Sequence, residues 1–400
     1  MNDFPLQGVR ILDMATVVAA PFSATLCGDM GAEVVKIELP QGGDPLRTLA
    51  PVHGQHALFW KVGNRGKQGI TLDVRKPKGR ELFLKMIGQF DVLVENFRTG
   101  TLDSWGLDLA TLHQHNPHLI VLRLTGFGQT GPYAQRPGFA RIFEAMSGLT
   151  YITGEPDRPP QHANYPLGDA IAGLFGAFAI ATALAERNAL PAHERKGAEI
   201  DLSATEALFR LLDPLAAESR FLKTARARAG SRASYTAPSN VYQTADGHWI
   251  TVVGTGNPIF TRLCQAMGRP DLLKDPRFVS NLERTRHLED LDAILAGWCR
   301  SLPLASIQQK FDDAEMPYSQ VNSVSETMAD PHFQARGAMI ELPDADLGSV
   351  PAPCIVPRFV GRERAAPVTG PATGEHNQSF YASLGLSPQA QAQLQAEGVI

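Results

Sequence analysis

The first group in this chain able to do covalent chemistry is a carboxylate at the junction of a loop and a helix. Asp169 lies in Leu167-Gly168-Asp169-Ala170, after a loop rich in Gly, Pro and His and before the small and apolar run Ile171 to Leu184. Such a junction pins the backbone and leaves the acid exposed, as a nucleophile or a general base requires. Asp is also a favoured N-cap, so a purely structural role fits the same position. His162, Asn164 and Tyr165 stand just upstream and are candidates to line the same pocket, with loop packing as the alternative. Arg141 falls in Phe139-Ala140-Arg141-Ile142-Phe143 on a predicted helix. A guanidinium in an apolar stripe requires a carboxylate partner, either on a substrate or in a salt bridge to Glu144 or another acid.

These residues need elements to hold them. Val9 to Leu12, Ala32 to Glu38, Ile70 to Val74, Val92 to Glu95 and Leu119 to Leu124 are short β-branched runs that predict strands. Helical patterns lie between several of them, including Gly79 to Phe90, and Pro21 suits the first turn of another. The alternation predicts an α/β fold, a doubly wound parallel sheet. Ligands of such sheets gather at the carboxyl ends of strands. That rule makes Asn96-Phe97-Arg98 and the segment Gly126 to Tyr133 site candidates, with plain connections as the alternative.

A helix is predicted from Ser203 to about Leu222. Arg, Ala, Gly, Ser and Pro then dominate Thr224 to Ser239 and mark a linker. A hairpin follows, Val241 to Gln243 and Trp249 to Val253 about the turn Ala245-Asp246-Gly247. Helical patterns resume at Ile259 to Met267 and Leu282 to Ser301, and a further boundary falls near Ser325 to Gly337.

With 400 residues, two domains are expected. A net charge of −4, 44% hydrophobic and 20% charged residues describe an ordinary globular protein and argue against a nucleic-acid partner. Cys27, Cys264, Cys299 and Cys354 offer no zinc pair and no disulfide framework; reduced thiols in the cytoplasm are expected, with no metal. No signal peptide is predicted. The apolar run Ala170 to Ala185 is short for a membrane span, and its Gly and Ala content predicts a closely packed buried helix.

A strand, a helix and a second strand ending at Glu38 invite comparison with a dinucleotide-binding unit. That unit needs glycines in its first turn for close approach to a pyrophosphate. Here the turn reads Thr16-Val17-Val18-Ala19-Ala20-Pro21, so the loop serves another ligand.

Taken in order, the pieces resemble the class III CoA-transferases, the CaiB/BaiF or formyl-CoA transferase-like family, over nearly the whole chain. They include Gly8-Val9-Arg10-Ile11-Leu12-Asp13, Gly31 to Glu38, Gly43-Asp44-Pro45, Asn64-Arg65-Gly66-Lys67, Ile70 to Asp73, Asp91 to Arg98, Gly126-Phe127-Gly128, Gly168-Asp169 and Asp275-Pro276-Arg277-Phe278. The resemblance implies that Asp169 is the nucleophile. It places CoA-binding positions at Val17, Val18, Leu72 to Arg75, Asn96, Phe97 and Arg98, and a glycine loop at Gly254-Thr255-Gly256-Asn257. It implies a Rossmann-like CoA-binding domain of residues 1–222 and 326–400, a linker at 223–238 and a smaller α+β domain at 239–325. The family assembles as interlocked ring-shaped homodimers. Acyl-CoA and small carboxylic acids are the implied partners, with no permanently bound cofactor and no membrane. Ala20, Leu39, Ser104 and Trp105 depart from residues common in the family, and only two glycines stand in the Gly254 loop.

The implied reaction moves CoA between an acyl-CoA and a free acid through mixed anhydrides and an aspartyl-CoA thioester, with Arg141 suited to the far carboxylate of succinate, mesaconate or itaconate. Two alternatives stand beside it. An α-methylacyl-CoA racemase needs an acid/base pair, and members of that branch carry His-Asp where this chain has Ala140-Arg141. A CoA-binding protein without turnover would have no use for Asp169.

Overall fold

Buried strands of a parallel sheet are apolar on both faces, and five of the runs above form such strands. In the computed structural model, which describes residues 4–400, they are β1 (Arg10–Asp13), β2 (Glu33–Glu38), β3 (Gln68–Thr71), β4 (Val92–Glu95) and β5 (Ile120–Thr125). A sixth strand, β6 (Ala198–Ser203), completes the sheet. Every pairing is parallel and the order is β3-β2-β1-β4-β5-β6, that of a doubly wound dinucleotide-type sheet.

Period-two alternation sends Leu12, Val35, Ile37, Leu93 and Val121 into one core and Ile11, Val34, Val92, Val94, Ile120 and Leu122 into another. Helix α1 (Ala19–Asp29) and α2 (Pro77–Ile87) cross between strands. Strand β3 begins and ends earlier than its β-branched residues predict. Asp73 turns back to accept from the Arg75 amide at 3.1 Å, and Pro77 then opens α2. Strand β6 went unpredicted because its alternation of charge with Ile200 and Leu202 belongs to a half-exposed edge.

Helix α3 (Ala140–Ser147) precedes α4 (Leu167–Ala189). With 23 residues and an 18-residue stretch of mean hydropathy 1.7, α4 is long and apolar enough to cross a membrane, contrary to the expectation from sequence. Only a third of that stretch is buried, unlike the buried helix expected, and glycines pack its inner face on α1. A Cβ at Gly173 would lie 2.6 Å from the Ala19 carbonyl oxygen, and one at Gly176 would lie 2.2 Å from Ser23 Oγ. Only glycine lets α4 sit so close to α1. The predicted helix from Ser203 to Leu222 is instead two, Ala204–Arg210 and Leu215–Leu222, because Pro214 supplies no amide to continue the ladder.

The chain divides into two compact units. One runs to Leu149 and resumes over Ala163–Ala217 and Arg336–Ile400; the other comprises Thr150–His162 and Glu218–Ala335. The second unit holds the antiparallel strands β7 (Ser239–Gln243), β8 (Trp249–Val253) and β9 (Tyr318–Gln320), with β8 central. Helices α5 (Asn257–Ala266), α6 (Leu288–Arg300) and α7 (Leu304–Asp313) contribute Leu263, Leu291, Leu295, Ile307 and Phe311 to its core.

Candidate active site

In this strand order the chain reverses direction of travel between β1 and β4, and their carboxyl ends open a crevice. A cleft of about 240 Å³ lies there. It is lined by Thr16 to Ala19 after β1, Asn96 to Arg98 after β4, Leu124 to Gly126 at β5, Ala134, Arg136 to Phe139, Phe143 and Asp169. The structure thus brings together Val17, Val18, Asn96, Phe97, Arg98 and Asp169, which are far apart in sequence. Arg136, stacked on Tyr133 with its guanidinium 3.6 Å from the ring centre, joins Arg98 on the cleft wall.

Asp169 is not the N-cap of α4. Pro166 holds that place and Asp169 lies in the first turn. The half-buried carboxyl has its pKa pushed up to about 6, first by burial and then by the nearby Glu144 carboxylate. Glu144 is 2% exposed, and its Oε1 accepts from the Gly168 amide at 2.9 Å. The Gly168 position permits this approach, since a Cβ there would stand 3.0 Å from the Ala140 carbonyl oxygen. Tyr165 is exposed and stacks on Phe59 with ring centres 6.1 Å apart. Burial and the Asp169 charge push its phenol pKa upward.

The loop after β1 is held from two sides. Asn96 accepts from the Thr16 amide and donates to the Thr16 carbonyl, each at 2.8 Å. Its side chain therefore fixes the loop, with one N–H and one lone pair left over. Val17 has φ of 68°. A β-branched residue rarely enters this left-handed region, at a cost of about 1–3 kcal/mol. Buried Glu95 accepts from the Phe97 amide at 2.8 Å and pins the second loop. Burial pushes the Glu95 pKa to about 7, against the opposing pull of that amide. The Phe97 ring meets Trp105 edge-on at 4.9 Å.

Other expected positions lie elsewhere. The Leu72 side chain is in the core at 1% exposure, so a ligand contact at this position falls to its backbone. Arg75 pairs with Asp73 at 2.7 Å and is absent from the cleft wall. Arg141 is on the exposed face of α3, not in its apolar stripe. The stripe is Ala140, Phe143, Glu144 and Ser147, so the buried charge is the glutamate. That i, i+3, i+4, i+7 spacing was the available signal for Glu144. In the second unit, Gly254 and Gly256 precede α5, and Gly256 takes the extended N-cap conformation. Fully buried Arg284 donates to the Thr255 carbonyl at 2.8 Å and to Asn257 Oδ1 at 3.0 Å. Only tertiary packing assigns that residue to the loop.

A half-buried carboxylate in a switch-point cleft that lacks the dinucleotide glycines is the arrangement this Rossmann-type sheet presents. Comparison with known proteins narrows the class. The sequence profile described as CoA-transferase family III matches residues 6–377, and the chain belongs to that family. It is 39% identical over 402 residues to succinyl-CoA–D-citramalate CoA-transferase of Chloroflexus aurantiacus, covering 99% of this chain and 98% of that protein. It is 30% identical to human succinyl-CoA:glutarate CoA-transferase, covering 100% and 91%. A crystal structure of a CaiB/BaiF family protein from Brucella suis superposes with a TM-score of 0.83 at 32% identity, covering 96% of this chain and 100% of that one.

Proposed function

We propose that the protein transfers CoA from succinyl-CoA to a second small dicarboxylic acid, with Asp169 as covalent carrier. The observation that carries this reading is the placement of Asp169 beside Glu144 in the switch-point cleft. The relatives named above support the donor and the class of acceptor, since citramalate and glutarate are both dicarboxylates.

Ionised Asp169 attacks the thioester carbonyl, forming a mixed anhydride and releasing CoA thiolate. The thiolate attacks the aspartyl carbonyl, giving aspartyl-CoA and free succinate. The acceptor carboxylate then runs the two steps in reverse. Dividing one exchange in this way lowers each barrier. The tetrahedral oxyanions need donors; the first turn of α1 has no side-chain cap, and Val18 and Ala19 line the cleft. Arg98 and Arg136 supply positive charge for CoA phosphates or a distal carboxylate. A homodimer working in the cytoplasm completes the reading, in keeping with four free cysteines.

The test is a panel of acyl-CoA donors and free acids with wild type and Asp169→Ala. The variant is expected to lose at least about 10³-fold in kcat. Transfer that survives the substitution refutes the mechanism. Exchange of an α-proton without acyl exchange would instead indicate a racemase.

A further inference from the structure

Beneath the cleft lies a buried charge cluster that the mechanism does not use. Lys36 is 0% exposed, with Nζ 3.2 Å from Asp44 and 3.7 Å from Asp13. Lys67 pairs with the other oxygen of Asp13 at 2.8 Å. Two lysines and two aspartates thus cancel in the interior. Buried ion pairs give little net stability over apolar packing, so stability alone does not account for them.

What apolar residues could not do is grip backbone. Asp13 accepts from the Ala15 amide at 3.1 Å, and Lys36 donates to the Ala15 carbonyl. Both Asp44 oxygens accept from the Val17 amide, at 3.1 and 3.2 Å. Val17 is the one described β-branched residue at positive φ, and it lines the cleft with Asp169. Asp44 is itself fixed, because its amide donates to Glu38 at 2.9 Å. Glu38 is clamped by Arg47, whose guanidinium lies 3.7 Å above the Trp60 ring.

We infer that Asp44, backed by Lys36, is a positioning residue that forces Val17 into its left-handed conformation and so shapes the cleft wall facing the nucleophile. A strained backbone persists only where its surroundings over-determine it, and Asp44 with Asn96 does so here. The inference rests on the assignment of the cleft as the reaction site.

The test is a double-mutant cycle on CoA transfer. Asp44→Asn keeps the shape, loses the charge that pairs with Lys36 and leaves one acceptor oxygen. It is expected to lower kcat at least about 30-fold when Val17 is present. Glycine adopts positive φ freely, so in the Val17→Gly background the same substitution should cost less than about fivefold. Such a difference is the coupling that a merely structural role would not produce. Equal losses in both backgrounds overturn the inference. Should Asp44→Asn fold poorly, Asp44→Glu retains the charge and displaces the carboxylate; wild-type kcat in that variant also overturns it. A crystal structure of the folded Asp44 variant reads the claim without turnover. Relaxation of Val17 to negative φ is expected. If Val17 relaxes while the wild type transfers no CoA, the holding role stands and the assigned reaction falls.

Discussion

Keeping Asp169 ionised costs free energy in the folded protein, because burial and Glu144 both oppose its charge. In the proposed mechanism the ionised carboxylate is the attacking form, so kcat/KM should fall as pH drops through about 6. Glu144→Gln removes the negative neighbour and keeps an oxygen for the Gly168 amide. Its acid limb should move to lower pH, as read from the pH–rate profile; an unmoved limb would exclude Glu144 as a cause. The same shift has a stability sign. The folded pKa lies above the ordinary carboxylate value, so the unfolded chain loses this proton first as pH rises. The penalty is small near pH ~4 and complete above the folded pKa. Asp169→Asn should therefore gain about 1–2 kcal/mol in urea unfolding at neutral pH, a gain that shrinks near pH ~4. Asp169 was legible in the sequence because a loop–helix junction shows locally. Asp44 was not, because it meets a backbone amide distant in the chain; Glu144 showed only in the stripe of α3, and its contact with the Gly168 amide did not show. Arg141 drew attention only because its helix phase was misjudged by one position in the stripe.

At the level of elements, the sheet was legible because buried parallel strands are short β-branched runs between turn signals. The edge strand β6 and the helix break at Pro214 were lost for opposite reasons. The first looked too polar, and the second was overridden by apolar periodicity on both sides. The contact between α1 and α4 depends on absent side chains, which sequence reading registers only as a small-residue run. Gly176→Val would drive a methyl group into Ser23. We expect about 1–3 kcal/mol of destabilisation and a lower urea midpoint. Because α1 carries Val18 and Ala19 to the cleft and α4 carries Asp169, kcat should fall as well. Wild-type stability in that variant would show that the two helices can part at no cost.

On the scale of the whole molecule, the first unit leaves large apolar side chains in solvent. Ile142 and Met146 on α3, Leu174 and Phe178 on α4, and Phe209 are each more than half exposed. Scattered apolar residues are ordinary, but this many on neighbouring helices mark a surface for a partner. If the proposed homodimer forms through them, light scattering should return twice the chain mass of 43.3 kDa. Phe178→Asp should shift the mass toward one chain; a wild-type monomer would remove the dimer from the account. Oligomeric state was not legible in composition or periodicity and came to the sequence reading only through family resemblance. In the proposed reaction the Asp169 carboxyl group is activated in turn as a mixed anhydride and, at its carbonyl carbon, as a CoA thioester. Mass spectrometry of enzyme quenched with succinyl-CoA and no acceptor tests it most directly. A CoA adduct on the peptide bearing Asp169, discharged when an acceptor acid is added, is the predicted result. An unmodified peptide, from enzyme that gives full product yield once acceptor is supplied, would contradict it.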